Sequence, residues 1–213
     1  MSRIVIFGAA GRLGSRIVAE AAFRGHHVTA VARTTDHLTT LHDGATAQVG
    51  DPTDPDSVRT LATGTDVLVS AVGGPDKAVY LTTARTLVTT LKRIGDTAPR
   101  IIHCGGGGSL LNDEGVRMVD VPGFPAELRD EVLGQAAALD YYRASTGVTW
   151  TYVSPPPGNF APGRRTGQYR TGTDHPVTRP DGTFGISYED YALALVDEIE
   201  TASHLDTRFT VGY

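Results

Sequence analysis

The chain has 213 residues, 40% of them hydrophobic and 20% charged, with a formal net charge of −5. That length and apolar content suit one compact unit with a sizeable core, and an acidic balance without a run of Lys or Arg argues against nucleic acid or an anionic membrane as the main partner. Cys104 is the single cysteine, which excludes an intrachain disulfide and thiolate metal centres; with no leader pattern and no apolar run of about 18 residues, a cytoplasmic monomer or homodimer is the expectation.

Ile4-Val5-Ile6-Phe7 reads as a strand buried on both faces. It runs into Gly8, Ala9, Ala10, Gly11, Arg12, Leu13 and Gly14, and Leu13, Ile17, Val18 and Ala21 then follow at helical spacing through Phe23. A strand, a glycine turn and a helix in that order form the context of a dinucleotide-binding turn. Gly8 permits the tight turn, Gly11 the approach of backbone to a pyrophosphate, and Gly14 close packing of helix on sheet, while free N–H groups at the helix start face the phosphates.

His27–Ala32 is the second expected strand, ending at Arg33. An acidic residue there would accept from the 2′-hydroxyl of NAD, whereas an arginine pairs with the 2′-phosphate of NADP. No Asp or Glu occurs from His27 to Thr35, so NADPH is favoured over NADH, with Arg12 as a second cation for the same phosphate. Leu38 and Leu41 sit at helical spacing between Thr34 and His42, and Ala45–Val49 is the third strand, ending at Gly50, Asp51 and Pro52. Asp51 either contacts the adenine amino group or serves as a turn aspartate. Asp54 and Pro55 open the next helix as N-cap and first-turn proline.

Asp66 to Pro75 is a fourth strand closing in Ser70, Ala71, Val72 and Gly73, small enough for a cofactor to lie against the backbone. A long helix spans Asp76 to Ile94, with Tyr80 near its start facing the site. Ile101–Cys104 is the fifth strand, followed by Gly105, Gly106, Gly107, Gly108 and Ser109. Four glycines carry a large ordering entropy; they suggest a loop against a flat nicotinamide, with Ser109 offering a hydroxyl, as opposed to a plain flexible connection. After a turn-rich stretch from Asn112, Pro125 to Ser145 reads as a helix ended by Gly147, and Thr149–Val153 as the sixth strand. Pro155, Pro156 and Pro157 then make a stiff wall for the cofactor pocket.

From Asn159 to Gly185 the alternation breaks down, with Gln168–Thr171 as a short strand and Phe160, Arg164, Arg165 and Tyr169 as candidates for substrate contact. Ser187 to Asp190 is a capping-box-like start for the helix Tyr188–Thr201, and Arg208–Tyr213 is the final strand. The pattern predicts an α/β fold: a Rossmann-type doubly wound, mostly parallel sheet in a single unit over 1–213, with a nucleotide-binding core over about 1–158 and small C-terminal substrate-side elements beyond. None of the seven histidines forms a metal-ligand spacing. His103 reads as a core or cofactor-edge residue rather than a base, and Cys104 as a buried apolar residue beside the cofactor.

Gly8 through Gly14, Val31-Ala32-Arg33, Gly50-Asp51, Ser70 through Gly73, Trp150 through Pro155, and Ser187 through Ala192 with the Arg208–Tyr213 ending resemble the atypical short-chain dehydrogenases/reductases. The resemblance is nearest to the NAD(P)H-binding group labelled NADH-flavin reductases, relatives of NmrA-like proteins and biliverdin reductase B, and it covers nearly the whole chain. It implies cofactor contacts from Gly8, Ala10, Gly11, Arg12, Leu13, Gly14, Arg33, Asp51, Pro52, Ser70, Ala71, Val72, Gly73, Cys104, Gly105, Gly106, Pro155 and Pro156.

Orthodox relatives use Tyr-x-x-x-Lys, where lysine lowers the tyrosine pKa. Here Tyr141 and Tyr142 are followed four residues on by Ser145 and Thr146, and lysine occurs only at 77 and 92. The histidine that the resemblance to biliverdin reductase B implies after the paired prolines is Pro157. A conjugated acceptor, flavin or quinone, needs least proton assistance, because its rings hold the negative charge. Ser109 is then the leading donor candidate and Tyr169 or Tyr80 a weaker one. The competing expectations are an NmrA-like NADP(H) sensor acting through a partner protein, and a tailoring reductase or isomerase of a specialised metabolite.

Overall fold

The computed structural model describes residues 1–34, 36, 38, 43–74 and 76–213. Ten strands and five helices are described: β1 Arg3–Phe7, α1 Gly14–Phe23, β2 His27–Ala32, β3 Ala45–Val49, α2 Pro55–Ala62, β4 Val67–Ser70, α3 Ala78–Ile94, β5 Arg100–Cys104, α4 Ala126–Arg143, β6 Trp150–Ser154, β7 Phe160–Ala161, β8 Arg170–Gly172, β9 Ile186–Ser187, α5 Tyr188–Thr201 and β10 Thr207–Gly212. Eight strands form one sheet in the order β3-β2-β1-β4-β5-β6-β10-β8. All its neighbours are parallel except β8, which runs antiparallel to β10. The chain winds outward from β1 to β3, returns to β4 and winds the other way. This doubly wound Rossmann topology puts its switch point between β1 and β4, and the carboxyl ends of those strands are where ligands of such sheets bind.

The strand residues alternate between two apolar layers. Ile4, Ile6, Val69, Ile102 and Val153 face α1 and α5, with Ile17, Leu195 and Ile199. Val5, Phe7, Leu68, Ile101 and Tyr152 face α2, α3 and α4, with Leu87, Leu91 and Leu139. The central strands β4 and β6 are buried at every residue, as continuous apolar runs in a covered parallel sheet require.

Most expected boundaries hold within two residues, and the departures have local causes. The fourth strand stops at Ser70: the Ala71 N–H still bonds Phe7 O, after which the chain leaves the ladder, and the expected end at Pro75 lies outside the described residues. The following helix starts at Ala78, whose N–H is held by the Asp76 carboxylate at 2.9 Å. The helix α4 ends at Arg143, before Gly147, because the Ser145 hydroxyl folds back onto Tyr141 O at 2.7 Å. Most of the segment 34–42, including Leu41, lies outside the described residues.

The C-terminal segment differs most from expectation. The strand expected at Gln168–Thr171 is Arg170–Gly172, and it extends the main sheet as its edge; the separate pairing is the short β7 with β9. Ser187 caps α5 as expected, accepting from the Asp190 N–H at 3.0 Å. Asp190 does not return to the Ser187 N–H. Its carboxylate takes Thr166, the Gly167 N–H and the Tyr213 hydroxyl, which ties the irregular segment to the last residue of the chain.

Candidate functional site at the carboxyl edge of the sheet

The glycine turn is built as the spacing requires. A Cβ on Gly8, whose φ is +81°, would fall 2.4 Å from Ala71 O, and one on Gly14 would fall 2.1 Å from Gly8 O. Those contacts bring the β1 turn against the end of β4, at the switch point. Gly11 meets only Gly8 O, at 3.1 Å, so its other side is open. The residue preceding α1, Leu13, offers no side-chain cap. Among the described residues, the N–H groups of Ala10, Arg12 and Leu13 have no hydrogen-bond acceptor in the protein. An uncapped helix start with free donors is an anion site, so the residues present fit a dinucleotide pyrophosphate.

Arg33 lines a cavity of about 590 Å3 with Gln48, Gly50, Asp51, Asp54 and Ser57. Among the described residues neither Arg33 nor Arg12 has a carboxylate partner, and both are exposed. Asp51 supports both of its readings: one carboxylate oxygen closes a turn on the Thr53 N–H and hydroxyl, at 2.8 and 2.6 Å, while the residue still lines the cavity. Pro52 is buried beside it.

At the end of β4, Ser70 is fully buried and its hydroxyl has no partner among the described residues, whereas exposure rises from Ala71 and Val72 to Gly73 and Gly74. The open backbone of this edge is therefore Ala71 to Gly74. The four glycines after β5 are different, because, on the side a Cβ would take, each is closed by the protein itself. Cβ atoms at Gly105, Gly106 and Gly108 would meet the Tyr152 ring at 1.9 Å, Gln135 at 1.6 Å and Val132 at 2.1 Å, and one at Gly107 the Pro155–Pro156 backbone at 2.7 Å. Side chains of the protein itself occupy that space. The glycines allow α4 and the proline bend to close over β5, and Pro155 and Pro156 are buried by the same contact. The Cys104 side chain lies in the core layer on the α1 and α5 face, and burial pushes its thiol up to about 12; only its backbone can border a cofactor.

Of the three expected donors, Tyr169 and Tyr80 donate to carboxylates, and Ser109 is buried with its oxygen held by an arginine. The Ser109 hydroxyl accepts from Arg208 at 3.1 Å, and the buried Arg208 is held in turn by Asp174. The Tyr169 hydroxyl donates to Asp197, which also pairs with Arg24 just beyond the C-terminal end of α1. That is the far end of α1 from Gly14, about 15 Å along the axis. Burial and the adjoining Asp197 carboxylate both raise the Tyr169 pKa. Arg165, expected at the substrate, instead forks onto Glu20 of α1 with two 2.8 Å bonds, and Phe160 packs on Tyr188 and Tyr191.

His103 is a core residue, 1% exposed, stacked on Tyr152 and bonded through Nδ1 to the Tyr142 hydroxyl at 3.2 Å. Burial lowers its pKa to about 3, so it is neutral. No group of three or more potential metal ligands occurs among the described residues.

A polar group stands over the open edge, formed by the expected Tyr80 with two residues that the motifs did not announce, Lys77 and Glu131. Tyr80 of α3 donates to Glu131 of α4 at 3.0 Å, and Lys77 donates to the other Glu131 oxygen at 3.1 Å and to Gly74 O at 3.4 Å. One turn along α4, the Gln135 side chain lies against Gly106 and its backbone carbonyl accepts from the Tyr152 hydroxyl at 2.9 Å. Tyr80 was expected to face the site; for Glu131 the sequence held only its four-residue spacing from Gln135 on α4.

Fold and turn together define a Rossmann-type nucleotide-binding protein. Residues 8–202 match the model of the NAD(P)H-binding family, and the chain belongs to that family. Bacillus subtilis (strain 168) YwnB, an uncharacterised protein, is 32% identical over 213 residues, covering 98% of this chain and 97% of its own. A solved Streptococcus pneumoniae TIGR4 structure, provisionally named an NADH-flavin reductase, superposes with a TM-score of 0.86 at 30% identity, covering 100% of this chain and 99% of that one. A Bacteroides thetaiotaomicron structure, provisionally named an epimerase, does so with a TM-score of 0.91 at 31% identity, covering 100% and 97%. No helix among the described residues is long and apolar enough to cross a membrane.

Proposed function

We propose that the chain is an NADPH-dependent reductase that delivers hydride to a flat conjugated acceptor. The observation that carries this reading is the uncapped start of α1 flanked by two exposed arginines, Arg12 and Arg33, without carboxylate partners among the described residues. Bound NADPH would supply the hydride. The residues at the α1 start hold the pyrophosphate by their N–H groups, and the two guanidiniums neutralise a 2′-phosphate. Ala71 to Gly74 leave backbone rather than side chains facing the reacting end.

The names of the two solved relatives point to different chemistries, so the choice rests on the residues of this chain. It has no Tyr-x-x-x-Lys pair, Tyr169 donates to Asp197 at the far end of α1, and Ser109 is buried with its oxygen held by Arg208. An acceptor that stabilises its own negative charge asks least of such a site, and the Streptococcus pneumoniae relative's name agrees with that class. NADPH oxidation followed at 340 nm with riboflavin and with menadione tests the reading. Turnover with either acceptor, abolished in Gly11→Trp, is the expected result; wild-type rates no higher than those of that variant with both acceptors would reject it.

A further inference from the structure

We propose that Glu131 is the specificity-determining residue of the acceptor side, accepting a hydrogen bond from an imide-type N–H on the edge of the conjugated acceptor, with Lys77 and Tyr80 as its positioning residues. The proposal rests on the reductase reading and sharpens it toward flavin-like rings over plain quinones. Its basis is placement. The Tyr80 hydroxyl lies 3.6 Å from where a Cβ on Gly73 would stand, and Lys77 reaches the Gly74 carbonyl at 3.4 Å. Both groups bond the same carboxylate, so Glu131 is held within two hydrogen-bond lengths of the open backbone at the end of β4. Gln135, one turn further, closes the end of β5. The carboxylate therefore stands at the mouth between two strand ends, on the side where the sheet binds ligands.

Its bonding is incomplete. A carboxylate offers about four lone-pair sites, and among the described residues Tyr80 and Lys77 fill one on each oxygen. The Glu131 side chain remains 38% exposed, leaving acceptor capacity open to solvent or an incoming ligand. Tyr80 is 3% exposed, so its direction is fixed, and its raised pKa, due first to burial, keeps the proton on its oxygen. Lys77 offsets the negative charge without covering it.

Clamping α3 to α4 does not account for the group. The helices already meet at Gly134, where a Cβ would fall 2.6 Å from Lys77 O, and through Leu87, Leu91 and Leu139. A half-exposed ion pair adds little to that contact. What the ion pair does supply is a fixed acceptor. An imide N–H flanked by carbonyls matches it, with the Lys77 ammonium beside the carboxylate to meet one of the flanking oxygens. A para-quinone has no such donor.

The test is flavin-fluorescence titration of the NADP+-loaded protein with riboflavin and with its N3-methyl derivative, which lacks the N–H. Wild type is expected to bind riboflavin about tenfold or more tightly than the methylated ring. Glu131→Leu should erase the preference, whereas Lys77→Met, which breaks the ion pair but keeps the carboxylate, should retain most of it. Equal binding of the two rings by wild type, or a preference that survives in Glu131→Leu, overturns the proposal. Equal losses in both variants also overturn it, in favour of a clamp. NADPH turnover is scored separately: a preference without turnover rejects the reductase reading and leaves the assignment of Glu131 standing, and turnover without a preference does the reverse.

Discussion

Arg33 shows how far one residue can be read. Its place at the end of β2 and the absence of an acid from His27 to Thr35 were visible in the sequence. The structure adds that it borders a cavity with Asp51 and that no described carboxylate neutralises it. Asp51, Asp54 and Asp56 line the same cavity and oppose an added anion, so the attraction of a 2′-phosphate falls to the Arg33 guanidinium, which no described carboxylate occupies. Arg33→Ala should therefore weaken NADPH binding by about 10–100-fold, the worth of a charge-assisted bond pair, and change NADH affinity about threefold or less. Calorimetric titration of both cofactors checks this; equal losses for the two would mean that Arg33 does not read the 2′-phosphate. Ser109 and Tyr169 mark the limit of the same kind of reading. Their hydroxyls were assigned by sequence position, but their directions are set by Arg208 and Asp197, which are far from them in sequence. Glu131 was missed for the same reason, since its partners, Tyr80 of α3 and Lys77 just before it, lie about fifty residues away.

At the scale of elements, local signals were enough where local physics decides. Pro55 after Asp54 starts α2, with the Asp54 carboxylate accepting from the Asp56 N–H at 3.0 Å, and Ser187 starts α5. The buried strands β1, β4, β5 and β6 were legible from apolar runs that the covered sheet demands, whereas the two-residue β7 and β9 carry no such run. The Gly105–Gly108 loop was not, because glycine signals close approach without saying what approaches. Here α4 and the proline bend do so; at Gly11 the space is open. That difference separates two substitutions in one turn. Gly14→Ala drives a methyl into backbone at 2.1 Å and should cost roughly 3 kcal/mol, lowering Tm by about 6–12 °C. Gly11→Ala meets one oxygen at 3.1 Å, so it should lower Tm by about 3 °C or less while weakening NADPH binding by about tenfold or more. Thermal melts with and without NADPH distinguish them, and a Gly11→Ala protein with wild-type cofactor affinity would contradict the assigned approach of the phosphate to that residue.

The whole molecule carries a pH dependence that begins well above the carboxylate range. His103 is buried within the sheet with its ring stacked on Tyr152 and its Nε2 without a described partner, and burial lowers its folded pKa to about 3 from an unfolded value near 6.5. Below the unfolded value the unfolded chain takes up a proton that the folded chain refuses. Stability then falls as pH drops, starting near 6.5 and continuing toward the folded value, with a limiting slope of about 1.4 kcal/mol per pH unit. Acidic groups add to this only lower down. Asp190 is held below the usual carboxylate range: burial alone would raise it, but bonds from Thr166, Tyr213 and the Gly167 N–H outweigh that. Glu20 is lowered chiefly by Arg165. Stability from these groups is full above their unfolded pKa near 4 and is lost as pH falls through their depressed folded values. Urea midpoints at pH 7, 6 and 5 should thus fall in the wild-type protein before any carboxylate protonates. In His103→Phe, whatever its absolute stability, the decline over the same interval should flatten by about one proton's worth. Parallel pH profiles for the two proteins would show that the buried imidazole is not the group whose protonation opens the fold.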